Sequence, residues 1–269
     1  MHIYLPGESW VPGEFASQLA IGDSWFWYPK NNILQALAEH PKLKDPFRNI
    51  QMLGYNGAKL EQYVFGKYAK QFMRELLPEN RKYYSAILIS GAGNDAVDYR
   101  LGLFKNCSAA NSPDQCVDET GMNILLSKVG TAISALIYQI RRAYDKDGLQ
   151  PDIFLHSYDY PVPDGRGFSL SILKVTGPWL AKAMNDCSVP NDMILRKAIC
   201  KTLIDRLYDE FLLFADTAKK VYLIDSRSCL GSASYKKDWD NELHPTRHGF
   251  KQIVDQRWIP LFTELGYAN

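Results

Sequence analysis

The sequence predicts an α/β domain built on a parallel sheet with helices on both faces. Three observations lead there. Five short apolar runs, each preceded by polar or turn residues, read as buried strands: 17–24, 49–54, 85–90, 152–158 and 221–225. The longer segments between them repeat apolar residues at helical spacing. Three of the runs end in polar, glycine-rich clusters, and in an open parallel sheet ligands bind beyond the carboxyl ends of the strands.

Taken in order, the first run, SQLAIGDS, ends in Gly22-Asp23-Ser24 and is followed by Trp25, Phe26, Trp27 and Tyr28. The second, NIQMLG, leads into Tyr55-Asn56-Gly57, and the third, SAILIS, into Gly91-Ala92-Gly93-Asn94-Asp95. Between Met122 and Ile140, residues Leu126, Val129, Ile133, Leu136 and Ile140 share one helical stripe. The fourth run, DIFLHSY, carries His156 and Tyr158 at its end, and Pro163 to Gly167 then reads as a loop. Over 194–219, Leu195, Ile199, Leu203, Leu207 and Phe211 form a second stripe, before the fifth run, VYLID. A last polar cluster, Asn241 to Thr246, precedes a C-terminal helix whose first turn suits Pro245.

A chain of 269 residues fits one domain, 1–269, with a substantial core. With 46% hydrophobic and 23% charged residues its composition is that of a globular protein. The net charge of +1 gives no electrostatic pull toward nucleic acid or anionic lipid. No apolar run reaches the length of a membrane span, and no secretory signal is expected within the opening MHIYLPGESW. The cysteines leave two readings open. Cys107/Cys116 and Cys187/Cys200 are close pairs that would suit the periplasm or cell exterior, with Cys229 left over. Alternatively all are independent thiols, and a cytoplasmic protein is equally served. The absence of CxxC and HExxH argues against zinc or dithiol chemistry, and no phosphate-binding loop supports a flavodoxin-like nucleotide binder.

Ser24, at the mouth of the sheet, is positioned as a nucleophile, and an alcohol needs an adjacent base to act as one. His244 supplies it. The Asn94 amide, with the backbone N–H groups of Gly57 and Ser24, offers a three-donor oxyanion hole, each donor worth roughly 10²–10³ in turnover. Asp23, Trp25, Asp95, His156 and Tyr158 fall on the same sheet edge and are expected to line the pocket. His156 and His248 are read as structural, most of the 25–28 aromatics as core, and Arg166 as a solvated side chain rather than an anion partner.

These blocks resemble those of the SGNH, or GDSL-type, hydrolases across essentially the whole chain. Gly22-Asp23-Ser24 matches the nucleophile block, Gly57 the second block, Asn94-Asp95 the third and His244 the histidine block. The resemblance implies a three-layer α/β/α sandwich of flavodoxin-like type with a five-stranded parallel sheet, carrying surface insertions near 105–118 and 160–193. It also implies hydrolysis of a small-molecule or lipid ester without cofactor or metal, through an acyl-Ser24 intermediate. Removal of O-acetyl groups from carbohydrate or peptidoglycan, and a binding module that kept only the fold, are the alternatives. Two positions depart from the pattern. Ala92 stands where the third block has glycine, a change that Gly93 is expected to absorb. Asn241 stands where the family places its acid, three residues before the histidine. Asp240 or a main-chain carbonyl is therefore expected to orient His244, with Asp238 and Glu242 as other carboxylates in reach.

Overall fold

The computed structural model describes residues 2–145, 148–170, 173–231 and 235–269. Its strands are β1 (His2–Tyr4), β2 (Gln18–Gly22), β3 (Asn49–Gly54), β4 (Ala86–Ser90), β5 (Asp152–His156), β6 (Phe168–Leu170), β7 (Leu173–Thr176) and β8 (Val221–Ile224). Six of these form one parallel sheet in the order β1-β3-β2-β4-β5-β8. Five were expected. The additional member, β1, is a three-residue edge strand too short to carry a periodic signal. Without it the order is that of a flavodoxin-like doubly wound sheet, whose switch point lies between β2 and β4. Ser24 and Asn94 follow those two strands. The hairpin β6–β7 stands apart as a small antiparallel ribbon.

The two central strands are buried along their whole length, as sheets covered on both faces require. Gly22 pairs in register with Gly54 on one side and Ser90 on the other. A Cβ at Gly22 would lie 2.4 Å from the Ser90 carbonyl oxygen, so the first residue of the nucleophile block is a packing requirement of the sheet.

The stripe expected over 122–140 lies on the Glu119–Tyr144 helix, capped by the Asp118 carboxylate on the Gly121 N–H at 2.8 Å. Its buried face runs through Met122, Leu125, Val129, Ile133, Leu136 and Ile140, while Leu126 is only half-buried. Contrary to the sequence expectation, this helix is long and apolar enough to cross a membrane by length and composition alone. Its apolar face is instead turned onto the core and the Met193–Leu212 helix. That second helix is capped by Asp192 and buries the expected Leu195, Ile199, Leu203, Leu207 and Phe211.

Cysteine pairing follows neither of the two readings. Cys107 and Cys116 are bonded, with Cα atoms 5.3 Å apart, and close the 105–118 segment on itself. Cys187, Cys200 and Cys229 are free. Cys187 ends the Leu180–Asp186 helix, where its carbonyl accepts from the Cys107 N–H at 3.3 Å, whereas Cys200 is buried on the inner face of Met193–Leu212. Pro245 also departs from expectation. The helix after it is Arg247–Ile253, capped by the Thr246 hydroxyl on the Gly249 N–H at 3.1 Å, so Pro245 precedes the cap.

Candidate active site

Ser24 opens a single helical turn, Ser24–Trp27, directly after β2. Asp23 caps that turn, its Oδ1 accepting from the Trp25 N–H at 3.0 Å. Its Oδ2 accepts from the Tyr158 hydroxyl at 2.6 Å, and that hydroxyl accepts from the Gly93 N–H at 3.1 Å. The middle residue of the nucleophile block thus ties the Ser24 turn to the turn carrying Asn94. Burial outweighs these hydrogen bonds and pushes the Asp23 carboxyl up to about 7.

His244 reaches Ser24 from the other end of the chain. His244 Nε2 lies 2.7 Å from Ser24 Oγ, and His244 Nδ1 lies 3.0 Å from Asn241 Oδ1. The Asn241 oxygen also accepts from the Leu243 and His244 N–H groups, at 2.9 and 3.0 Å. The two backbone donors on that oxygen fix which way the amide faces, and the amide in turn assigns the imidazole its Nδ1–H tautomer. Nε2 is left with a lone pair directed at the serine. The Asn241 N–H₂ donates to the Tyr28 hydroxyl at 3.0 Å and to Asp240 Oδ2 at 3.4 Å.

The expected role of Asp240 is therefore corrected. Its carboxylate accepts from the Tyr28 hydroxyl and from Lys30 Nζ at 2.9 Å, and it does not contact the imidazole. Asn241, whose side chain can turn back onto its own loop, occupies the Nδ1 position. Asp238 and Glu242 are also engaged elsewhere. Asp238 accepts from Gln252 Nε2 at 2.8 Å and from the Gly231 N–H at 3.1 Å. The fully buried Glu242 accepts from four main-chain N–H groups, those of Gly165, Trp179, Leu180 and Ala181, at 2.7 to 3.0 Å.

Tyr28 stacks flat on the His244 ring, centroids 4.2 Å apart and planes within 3°. Burial lowers the imidazole pKa to about 3, opposed by the Asp240 charge and reinforced by Lys30. Sequence reasoning missed Tyr28 and Lys30 as parts of the histidine site. The available signal was Asn241 itself, since an uncharged orienting group calls for charge nearby.

In the turn after β3, Gly57 adopts a left-handed backbone, φ +77°, with open space where a Cβ would stand. Asn94 donates from Nδ2 to the Ala58 carbonyl at 3.1 Å, which ties its amide to the Gly57 turn. Among the described residues the Ser24 and Gly57 N–H groups have no acceptor. The third-block departure has a physical consequence. The residue in the left-handed region there is Ala92, φ +86°, fully buried, and not Gly93. The glycine expected at this position would meet a backbone demand that alanine satisfies only under strain.

Ser24 and His244 stand on the partition between two spaces. Behind them is a small apolar cavity of about 80 Å³, and in front a larger groove of about 580 Å³ bordered by Gly57, Asn94, Arg100, Phe168 and Trp179. Asp23, Trp25 and Tyr158 border the inner cavity. His156 and Asp95, expected there too, do not. His156 is buried beneath it, its ring between the Ser90 and Ser226 hydroxyls at 3.2 and 2.9 Å, held neutral because burial lowers its pKa to about 3. Asp95 faces the other way, accepting from the Leu60 N–H at 3.3 Å, and burial raises its carboxyl to about 6. Arg166 is not a solvated side chain. It donates to the Trp239 and Asp240 carbonyls at 2.8 and 3.1 Å and pairs with Asp164 at 2.6 Å, bracing the histidine loop. Among the described residues no group of three or more His, Cys, Asp or Glu side chains is placed to hold a metal ion.

The fold defines a class. No family model matches the chain, and no curated protein matches its sequence. Among solved structures, it is similar to the lipase Lip_vut3 from a goat rumen metagenome, with 14% identity, 89% of this chain and 94% of that one covered, and a TM-score of 0.53. It is also similar to a Streptococcus pneumonia protein provisionally named a platelet activating factor, with 14% identity, 91% and 83% coverage, and a TM-score of 0.51. The chain has the three-layer fold of the SGNH, or GDSL-type, hydrolases, with one strand added at the sheet edge.

Proposed function

We propose that this protein hydrolyses carboxylic esters through an acyl-Ser24 intermediate. The observation that carries this reading is the continuous hydrogen-bonded chain Ser24 Oγ, His244 Nε2, His244 Nδ1, Asn241 Oδ1 at the switch point of the sheet. Ser24 Oγ attacks the ester carbonyl while His244 Nε2 takes its proton. The carbonyl oxygen, now negative, turns toward the N–H groups of Ser24 and Gly57 and the Asn94 amide. The imidazolium gives its proton to the departing alkoxide. Water then repeats the sequence on the acyl-enzyme and frees the acid.

Asn241 in place of an acid is compatible with this chemistry. In serine proteases an Asp-to-Asn exchange lowers turnover by roughly 10⁴, chiefly because the amide imposes the wrong tautomer. Here the amide oxygen faces Nδ1, because Asp240 and Tyr28 take the N–H₂ end and two backbone N–H groups take the oxygen. Asp240 then supplies the missing charge one amide further away, its field reaching the imidazolium through the polarised Asn241 side chain. The one bridge, Cys107–Cys116, supports maturation in an oxidising compartment.

The test is labelling by a fluorophosphonate together with hydrolysis of p-nitrophenyl acetate and butyrate, in the wild type, Ser24→Ala and His244→Ala. Covalent labelling at Ser24 and turnover lost in both variants are expected. A wild type that neither labels nor hydrolyses either ester would leave the fold without this activity.

A further inference from the structure

Gly22, Ser90 and His156 pair in register as the last row of β2, β4 and β5. The Asp23 N–H still reaches back to the Ser90 carbonyl at 3.1 Å, but beyond it no main-chain bond among the described residues joins the three segments that follow these strands. One side chain takes over there. We propose that Tyr158 is a positioning residue for ester hydrolysis, its hydroxyl fixing the turn that carries Asn94 relative to Ser24. This rests on the ester-hydrolase reading given above.

Tyr158 lies two residues past β5, Asp23 one past β2, and Gly93 three past β4, the strand between them. The hydroxyl accepts from the Gly93 N–H at 3.1 Å and donates to Asp23 Oδ2 at 2.6 Å. A phenol has a single proton, and with the Gly93 N–H aimed at its oxygen that proton is left for the carboxylate. Both bonds therefore have a defined direction. Tyr158 and Asp23 are buried, and Trp25 meets the Tyr158 ring edge-on, centroids 5.0 Å apart. A Cβ at Gly93 would stand 3.2 Å from the Tyr158 hydroxyl and 3.3 Å from Asp23 Oδ2. Glycine there lets both oxygens come against the backbone.

The turn held in this way has a reason to move once released. Ala92 sits in the left-handed region, φ +86°, and strain of that kind persists only where the surroundings over-determine it. Gly93 opens the Gly93–Asp98 helix, at a position where the helix itself offers its N–H no acceptor. Tyr158 supplies one. Asn94 comes next, with one amide proton spent on the Ala58 carbonyl at 3.1 Å and the other left for the oxyanion. The direction of that second proton follows the turn, while Asp23, at the other end of the link, adjoins Ser24. The hydroxyl has no proton left for an ester, so it acts on the reaction only through Asn94 and Ser24.

The experiment measures p-nitrophenyl acetate hydrolysis by the wild type, Tyr158→Phe, Asn94→Ala and the double variant, each checked for a cooperative melt. Asn94→Ala should lower kcat by roughly 10²–10³. Tyr158→Phe, which displaces the donor without removing it, should lower kcat by roughly ten- to fifty-fold with KM within about two-fold. In the Asn94→Ala background Tyr158→Phe should cost less than about three-fold, because a donor already gone cannot be misplaced. Effects that multiply in the double variant, or a Tyr158→Phe kcat within about two-fold of wild type, overturn the proposal and leave the hydrolase reading standing. Amide exchange followed by NMR gives a readout independent of turnover. The Gly93 N–H should exchange at least about ten-fold more slowly than an unprotected amide, and lose that protection in Tyr158→Phe. If no ester is cleaved, the hydrolase reading fails and exchange decides alone. Protection lost with the hydroxyl keeps Tyr158 as the brace of the turn. A wild-type Gly93 N–H that exchanges freely overturns it, whether or not Tyr158→Phe folds.

Discussion

The two halves of the proposed catalytic pair are held by different physics. Ser24 sits at the end of a buried strand, and its position follows from the β-ladder, the Gly22 contact with β4 and one capping carboxylate. His244 sits on a loop outside the sheet, closed by the Asp240 N–H donating to the His244 carbonyl at 2.9 Å and by a single Trp239–Pro245 bridge. It is held by Asn241, Glu242 and Arg166, buried or half-buried polar side chains that convert main-chain N–H and carbonyl groups into fixed anchors. The proposed nucleophile is placed mainly by the sheet backbone, whereas the proposed base adds a web of side chains to a few local backbone bonds. A ladder spreads its stability over many bonds, whereas a polar web depends on each member being satisfied. Substitutions on the two sides should therefore fail in different ways.

The largest effect is expected at the nucleophile. Ser24→Ala should lower kcat by about 10⁴-fold or more with an unchanged melting temperature, since the hydroxyl supports nothing in the ladder. On the base side, Asn241→Ala should lower kcat by roughly 10²–10³ and also lower the melting temperature, because the Leu243 and His244 N–H groups lose their acceptor. A variant that lost activity while melting normally would break the contrast. Glu242→Gln should leave Ser24 labelling intact in the folded enzyme yet destabilise it by about 3 kcal/mol, measured by urea unfolding.

Smaller effects concern charge. With its pKa near 3, His244 is already the neutral base at pH values where an ordinary histidine is protonated. Protonation removes the base, so kcat/KM should hold as pH falls from neutrality to about 5 and decline only below that. Asp240 raises this pKa and Lys30 lowers it. Asp240→Asn should move the acid limb to lower pH and reduce kcat about ten-fold, while Lys30→Met should move the limb the other way. Smallest of all, Ala92→Gly should stabilise the fold by about 0.5–1 kcal/mol, the relief of left-handed strain less the added freedom of the unfolded chain.

The same contrast explains what could be read in advance. The five longer strands of the parallel sheet, both long helices and the strand-end clusters carrying Ser24, Gly57 and Asn94 follow from periodicity and turn chemistry, which act locally. β1 and the β6–β7 hairpin are too short to generate a period. The placement of Asn241, Asp240 and Glu242 was not legible, because three adjacent polar residues have equal claims until the loop conformation aims each one. Ala92 was misjudged for a related reason: which residue of Gly91-Ala92-Gly93 takes the positive φ is decided by packing. A Cβ on Gly91 would lie 2.3 Å from Leu60, so Gly91 is spent on close approach and the turn falls to Ala92.

Glu242 joins things that would otherwise be separate parts. Its two oxygens hold the Gly165 loop and the start of the Leu180–Asp186 helix, and its backbone neighbours carry His244. Trp179, whose N–H it accepts, lies edge-on to the imidazole at 6.1 Å and also borders the groove. A wall of the groove and the His244 ring share one anchor, so they are not independent modules. Reshaping that wall of the groove therefore also disturbs the imidazole, and evolution or a designer working on this scaffold would meet both consequences in one substitution.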